Sequence, residues 1–191
     1  GKQFGVRLNA VHRDGDTATR NQQHRSQLAS LGLDWRGERS RVSMDLFASR
    51  DHVDGLNRGV SLAAGLAVPR PPKADTLFAP DWTFSNVKDQ AAALRWEFDI
   101  NEQLSAHAAY GHGHTDFDSI ASGTTLIVNS AGDFRNNFAH QRFIYNKDTA
   151  EAGLSARLRT GPVDHALALS AAWYHHDYKF GFQRNLLPRD W

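Results

Sequence analysis

The chain contains no cysteine, which excludes disulfides, thiolate metal sites and a cysteine nucleophile while leaving the redox compartment open. No stretch approaches the ~18 consecutive apolar residues of a spanning helix, so any membrane crossing must be made by strands. Neither sign of charge dominates. With 22 Lys+Arg against 21 Asp+Glu and a net charge of +1, there is no footprint for a polyanion, and nucleic acid is not an expected partner. A GxSxG elbow, a P-loop and an HExxH zinc motif are all absent, so no enzyme activity is expected. The opening Gly-Lys-Gln-Phe has no basic and then apolar leader. It reads as a chain whose signal has been removed, or as an internal piece.

What the sequence does have is alternation. At 191 residues, 40% hydrophobic and 23% charged, the chain is long enough for a real core and is neither disordered nor a bundle of membrane helices. Seven segments show the period of two that a strand requires. The clearest is the fourth, 90–100, with Ala92, Leu94, Trp96, Phe98 and Ile100 on one face and Ala93, Arg95, Glu97 and Asp99 on the other. The sixth, 151–159, sets Ala152, Leu154, Ala156 and Leu158 against Glu151, Ser155, Arg157 and Arg159. The first (3–13), second (25–36) and third (40–50) follow the same pattern, although Phe47 sits on the polar side. The fifth (104–111) and seventh (163–174) are alanine-rich.

Such alternation suits a soluble sandwich, whose apolar face meets a shared core, as well as a membrane barrel, whose apolar face meets lipid. The connections favour the barrel. About three residues join strands at 37–39, 101–103 and 160–162, whereas 51–88 and 112–147 are far longer than ordinary loops. Short turns at one end and long loops at the other are the arrangement of an outer-membrane barrel. Aromatic placement agrees for Trp35, near a tight turn, and for Tyr110 and Trp173, near the long-loop end. Trp96 reads as nearer mid-strand. The expected fold is therefore all-β: antiparallel up-and-down strands forming part of a transmembrane β-barrel, with long extracellular loops and short periplasmic turns.

Residues across most of the chain resemble the barrel of TonB-dependent siderophore receptors. The likeness is carried by GVRLNAVHRDGD, by the hairpin LASLGLDWRGERSRVSMDL, by RGVSLAAGLAVPRPPKAD and by WTFSNVKDQAAALRWEFDINEQLSAHAAYGHG, and it resumes in SAGDF and GLSARLRTGPVDHALALSAA. The resemblance implies an outer-membrane receptor, embedded in lipid, that takes up a ferric siderophore with energy passed through TonB. In that family an N-terminal plug fills the barrel and contacts TonB. No segment here resembles a plug, and about seven strands is an odd number where single-chain barrels have an even one. Residues 1–191 are expected to be a piece of the barrel domain, and LLPRDW, ending in Trp191, a truncated loop. The alternatives are a soluble β-sheet ligand-binding module and a general porin or adhesin barrel.

Two sets of side chains are candidates for contact with cargo. The ten histidines, among them His112, His114, His175 and His176 at loop starts, show no arrangement of three or four donors and read as polar loop or interface residues rather than metal ligands. A siderophore already satisfies its iron, so no directly bound cofactor is expected. The loop aromatics and arginines are the better set. Trp82 and Phe84 in the first long loop, and Phe117, Arg135, Arg142 and Tyr145 in the second, offer rings and guanidinium groups to a bulky and often anionic complex. The same rings could instead pack the loops down as a cap. The charges along the strands, including Arg7, Asp34, Arg95, Glu97, Asp99, Glu151 and Arg157, read as a mutually satisfied wall facing the plug.

Overall fold

The computed structural model describes residues 3–184; the LLPRDW stretch lies outside them. Seven long antiparallel strands form one sheet in sequence order: β1 (Gln3–Asp16), β2 (Gln23–Arg36), β3 (Ser40–Asp54), β5 (Phe84–Asp99), β6 (Leu104–Ser122), β9 (Phe138–Thr160) and β10 (Val163–Arg184). The other three strands, β4 (Gly59–Leu62), β7 (Thr124–Ile127) and β8 (Phe134–Arg135), make a separate small sheet from the two long loops. Among the described residues there is no helix, and β1 and β10 each pair on one side only, so the large sheet is an open, up-and-down section of a barrel.

Register decides which side chains share a face, since residues directly opposite in an antiparallel pair project to the same side. One row across the sheet reads Val6, Leu33, Met44, Leu94, Tyr110, Ala150, Trp173. The row beside it reads Arg7, Gly32, Asp45, Ala93, Gly111, Thr149, Tyr174. Along these rows one face is mainly apolar and the other mainly polar, with Phe47 an exception on the polar side, the two-sided pattern of a barrel wall. The apolar belt does not follow a single row. Leu46 on β3 is carried by the register to Asp148 and His175 on β9 and β10, while the apolar residues of those strands, Leu154, Leu158, Leu167 and Leu169, lie nearer the tight turns. A belt that slides along the register is what strands tilted by about 35–45° to the membrane normal produce. Trp96 is corrected by the same register. It shares a row with Phe4 and Trp35, donates from Nε1 to Ser40 Oγ at 2.7 Å, and belongs to the aromatic girdle at the turn end.

The polar face is held by ion pairs and by glycines that let them form. Arg41 reaches Asp99 at 2.7 Å and Glu97 at 3.7 Å, and Arg95 reaches Glu97 at 2.8 Å. Arg7 reaches Asp45 at 3.8 Å across Gly32, where a Cβ would sit 3.3 Å from the guanidinium. At Gly153 a Cβ would meet the Leu169 carbonyl oxygen at 2.8 Å and the ring of His107, which leans over that position to pair with Glu151 at 2.9 Å.

The tight turns fall as expected. Asn101 accepts backbone N–H groups from Gln103 and Leu104, both at 2.9 Å, and Gly161 turns with φ at 60°. The other end differs from the sequence reading in two ways. The connection between β1 and β2, 17–22, is short, closed by Thr17 N–H to Gln22 O at 3.0 Å with Asn21 at φ 59°, so not every connection at the long-loop end is long. The strands also run well past the apolar belt, which leaves loops at 55–83 and 123–137 in place of 51–88 and 112–147. Backbone pairing continues there, with β6 and β9 paired without interruption up to Ser122 and Phe138.

The two remaining loops fold together as a cap. β4 pairs in parallel with β7, and β7 with β8. Thr83, Ser119, Ser122 and Thr125 are buried beside Ala79, Ala121, Ile127, Phe138 and Ala139. Thr83 donates to Pro80 O at 2.7 Å and accepts from Leu56 N at 3.1 Å, and Asn57 and Asn136 both bind the 76–78 backbone. Arg20 fastens the first turn to this cap through Asp75 at 2.7 Å. The Arg20 hydrogen bond holds that carboxyl below the usual carboxylate range, so the clip is present at neutral pH and is lost as acid protonates the aspartate.

An open sheet with two unpaired edges and an apolar face invites edge pairing. The isolated chain is expected to self-associate or to need detergent, and a stable monomer by light scattering in dilute plain buffer contradicts a lipid-facing surface.

Candidate functional site

Above the apolar belt the polar face changes character. On β10 the side chains pointing to that face are Tyr174, His176, Tyr178, Phe180 and Phe182, and opposite them on β9 stand Thr149, Lys147, Tyr145, Phe143 and Gln141. Phe117 on β6 continues the row of Phe143 and Phe180. Alternation puts every second residue of β10 on this wall, and aromatic residues suit strands because directly opposed rings pack against each other.

The rings form one connected surface. Phe117 stacks on Phe143 with centroids 4.4 Å apart, and Phe143 meets Tyr178 at 5.8 Å. Tyr145 lies 5.4 Å from Tyr178, edge to face, and 5.3 Å from His176. Tyr178, Phe180 and Phe182 follow one another at 5.9 Å along the strand. Cations border the ladder: Lys147 Nζ is 4.6 Å from the Tyr145 centroid, and the Arg184 guanidinium is 5.1 Å from that of Phe182. Phe180 is 55% exposed. An unbroken row of large rings on an otherwise polar wall offers a continuous stacking surface.

The six residues proposed from sequence divide. Phe117 and Tyr145 both lie on this wall, joined through Phe143 and Tyr178. Arg142 is three residues from Tyr145 on the same strand and so faces the opposite side, 3.9 Å from Asp116. Phe84, the first residue of β5, also faces the apolar side and stacks on His52 at 6.5 Å. Trp82 packs on the buried Phe138 at 4.7 Å, and Phe78 on Phe134 at 6.1 Å, inside the cap. Arg135 belongs to the cap strand β8. Phe84, Phe117, Arg142 and Tyr145 are strand residues, not loop residues as the sequence suggested.

Sequence reasoning overlooked Tyr174, Tyr178, Phe180 and Phe182. A signal was present: every second residue from 174 to 182 is a ring. It was masked because this alternation has the phase opposite to Leu167, Leu169, Ala171 and Trp173, so the strand looked as though it had ended. His112 and His175 likewise lie within strands. Both share a row with Asp148, which accepts from Tyr110 at 2.6 Å and pairs with His112 at 2.8 Å on the side opposite the ladder. Among the described residues no group of three or more histidines and carboxylates is placed to hold a metal.

No protein-family model matches the chain. Its relatives are TonB-dependent siderophore receptors. It is 25% identical over 170 residues, 89% of its own length and 22% of the relative's, to the ferrichrome receptor FcuA of Yersinia enterocolitica. It superposes on BauA, the ferric preacinetobactin receptor from Acinetobacter baumannii, with a TM-score of 0.91 and 40% identity, covering 94% of this chain and 27% of that one. The P. aeruginosa receptor FpvA, solved with pyoverdines and iron, shares the fold at a TM-score of 0.81 with 9% identity, over 98% of this chain and 25% of that one. The chain thus spans about a quarter of the length of these proteins.

Proposed function

We propose that this chain forms part of the barrel wall and outer vestibule of a bacterial outer-membrane receptor that binds a ferric siderophore and imports it. The reading rests on the aromatic ladder of β9 and β10, which crowns a polar lumen face while the opposite face is apolar. Its relatives are receptors rather than enzymes. On this reading residues 1–191 belong to one barrel domain, outer-membrane lipid covers the apolar belt, the iron arrives as cargo inside its chelator, and TonB supplies energy through a plug carried elsewhere in the receptor. A general porin gives the ladder no task, since an aqueous channel gains nothing from a wall of stacked rings.

The test separates the two kinds of loop-end aromatic in the full receptor. Tyr145→Ala is expected to weaken ferric-siderophore binding by about 1–3 kcal/mol, the range of a lost hot-spot contact. Trp82→Ala is expected to leave affinity near wild type and to make the cap more sensitive to protease, because its ring covers Phe138. Unchanged affinity in the Tyr145 variant, measured by calorimetric titration, removes the ladder from the binding surface.

A further inference from the structure

At its outer end the ladder runs into a cavity of about 390 Å³ between the sheet and the cap, lined by Phe182, Arg184 and Gln141 from the polar face and by Arg58, Gly123 and Asn137 from the loops and the β9 entry. Its lining includes two arginines and no carboxylate. Among the described residues neither Arg58 nor Arg184 lies within salt-bridge distance of an acid, as is also true of Arg13, Arg36, Arg39, Arg50, Arg70, Arg135 and Arg157; what sets the two apart is that they line one carboxylate-free cavity together. Arg184 is set over the Phe182 ring, which keeps the guanidinium plane in place while its N–H groups remain available.

We infer that this cavity is a subsite for an anionic aryl arm of the ligand, with Phe182 stacking on the ring and Arg58 and Arg184 binding the charge. The inference rests on the receptor reading above and narrows its substrate class to ferric chelates that carry negative charge on aromatic arms. Guanidinium groups suit this task because their fixed fork matches a carboxylate or a pair of vicinal phenolate oxygens with two parallel hydrogen bonds. The volume lies at the small end of the ~300–1,000 Å³ usual for ligand sites, so it fits one arm while the remaining rings of the chelate lie along Tyr178 and Phe180. Gln141, without a charge of its own, adds a polar contact at the cavity wall. A neutral chelate with aliphatic arms would leave both guanidinium groups without a partner.

The experiment compares three probes on the purified full receptor in detergent: a ferric tris-catecholate, a ferric tris-hydroxamate of zero net charge, and metal-free 2,3-dihydroxybenzoate. Wild type is expected to bind the catecholate more tightly than the hydroxamate. Arg58→Gln and Arg184→Gln are each expected to weaken the catecholate and the free dihydroxybenzoate by about tenfold, the scale of a lost charge-assisted hydrogen bond, and to change the hydroxamate by less than about threefold. Arg58→Lys should recover much of the loss at low salt, since the charge but not the fork is restored. Heat-modified gel migration like wild type confirms that each variant is assembled. Equal effects on charged and neutral chelates, or no effect on either, overturn the inference and leave the receptor reading intact. If neither iron complex binds wild type, the receptor reading fails. In that case arginine-dependent binding of dihydroxybenzoate still supports the cavity as an anion subsite, and its absence overturns that too.

Discussion

Leu154→Arg is expected to destabilise the assembled barrel by about 2–4 kcal/mol, the cost of a cationic side chain on the lipid face near mid-membrane. Leu154 lies in a register row with Phe98, Ala106 and Leu169, apolar on β5, β6, β9 and β10, and the row ends at Ser40 where β3 begins. The row one residue away, Asp99, Ser105, Ser155 and Ala168, is polar at three of its four positions. Ser155→Arg is therefore expected to cost far less, since its side chain enters the lumen beside Arg157 and water. The urea midpoint of the full receptor in micelles or lipid reads both changes. A Leu154→Arg midpoint equal to wild type, or a larger shift at Ser155, would turn the apolar face away from lipid.

The same two-faced pattern explains which parts of the fold could be read from sequence. Where lipid covers one face the apolar stripe is obligatory, so 90–100 and 151–159 announced themselves, and the turns at 37–39, 101–103 and 160–162 were placed by Gly, Asn and Pro. Beyond the belt nothing requires an apolar face, and strand residues such as His114, Asp116, Asp118 and Arg142 resemble loop residues although their backbones remain paired. The long loops are accordingly shorter than the sequence pattern suggests. The cap strands β4 and β7 were illegible for a different reason: a four-residue pairing between loops distant in sequence leaves no local period to detect. At the site, Phe117 and Tyr145 were found as isolated rings, but their meeting through Phe143 and Tyr178 depends on the register of three strands, which no single segment encodes. Arg142 carries a suitable charge and lies close to Tyr145 in sequence. The parity of its strand, a property of the fold, turns it away from Tyr145.

Removing the centre of the ladder is expected to have the largest effect on binding. Tyr178 contacts Phe143, Tyr145 and Phe180, while Phe180 carries the surface on to Phe182, so Tyr178→Ala with Phe180→Ala deletes the continuous stacking wall and leaves two separated ends. Single hot-spot rings contribute about 1–3 kcal/mol on truncation, and neighbouring rings are not additive, which places the double variant at about 2–4 kcal/mol of lost ferric-siderophore affinity. Tyr178→Phe keeps the ring face and should retain most of the binding. The competing possibility is that the ladder serves only to pack β10 against whatever covers the lumen wall. Such a role would lower the urea midpoint of the double variant while leaving its affinity unchanged, because stacking lost from the wall would then be lost by the fold and not by the ligand. Affinity and midpoint measured on the same preparation therefore distinguish a binding surface from a structural one: a large fall in affinity with a small change in midpoint is the expected result.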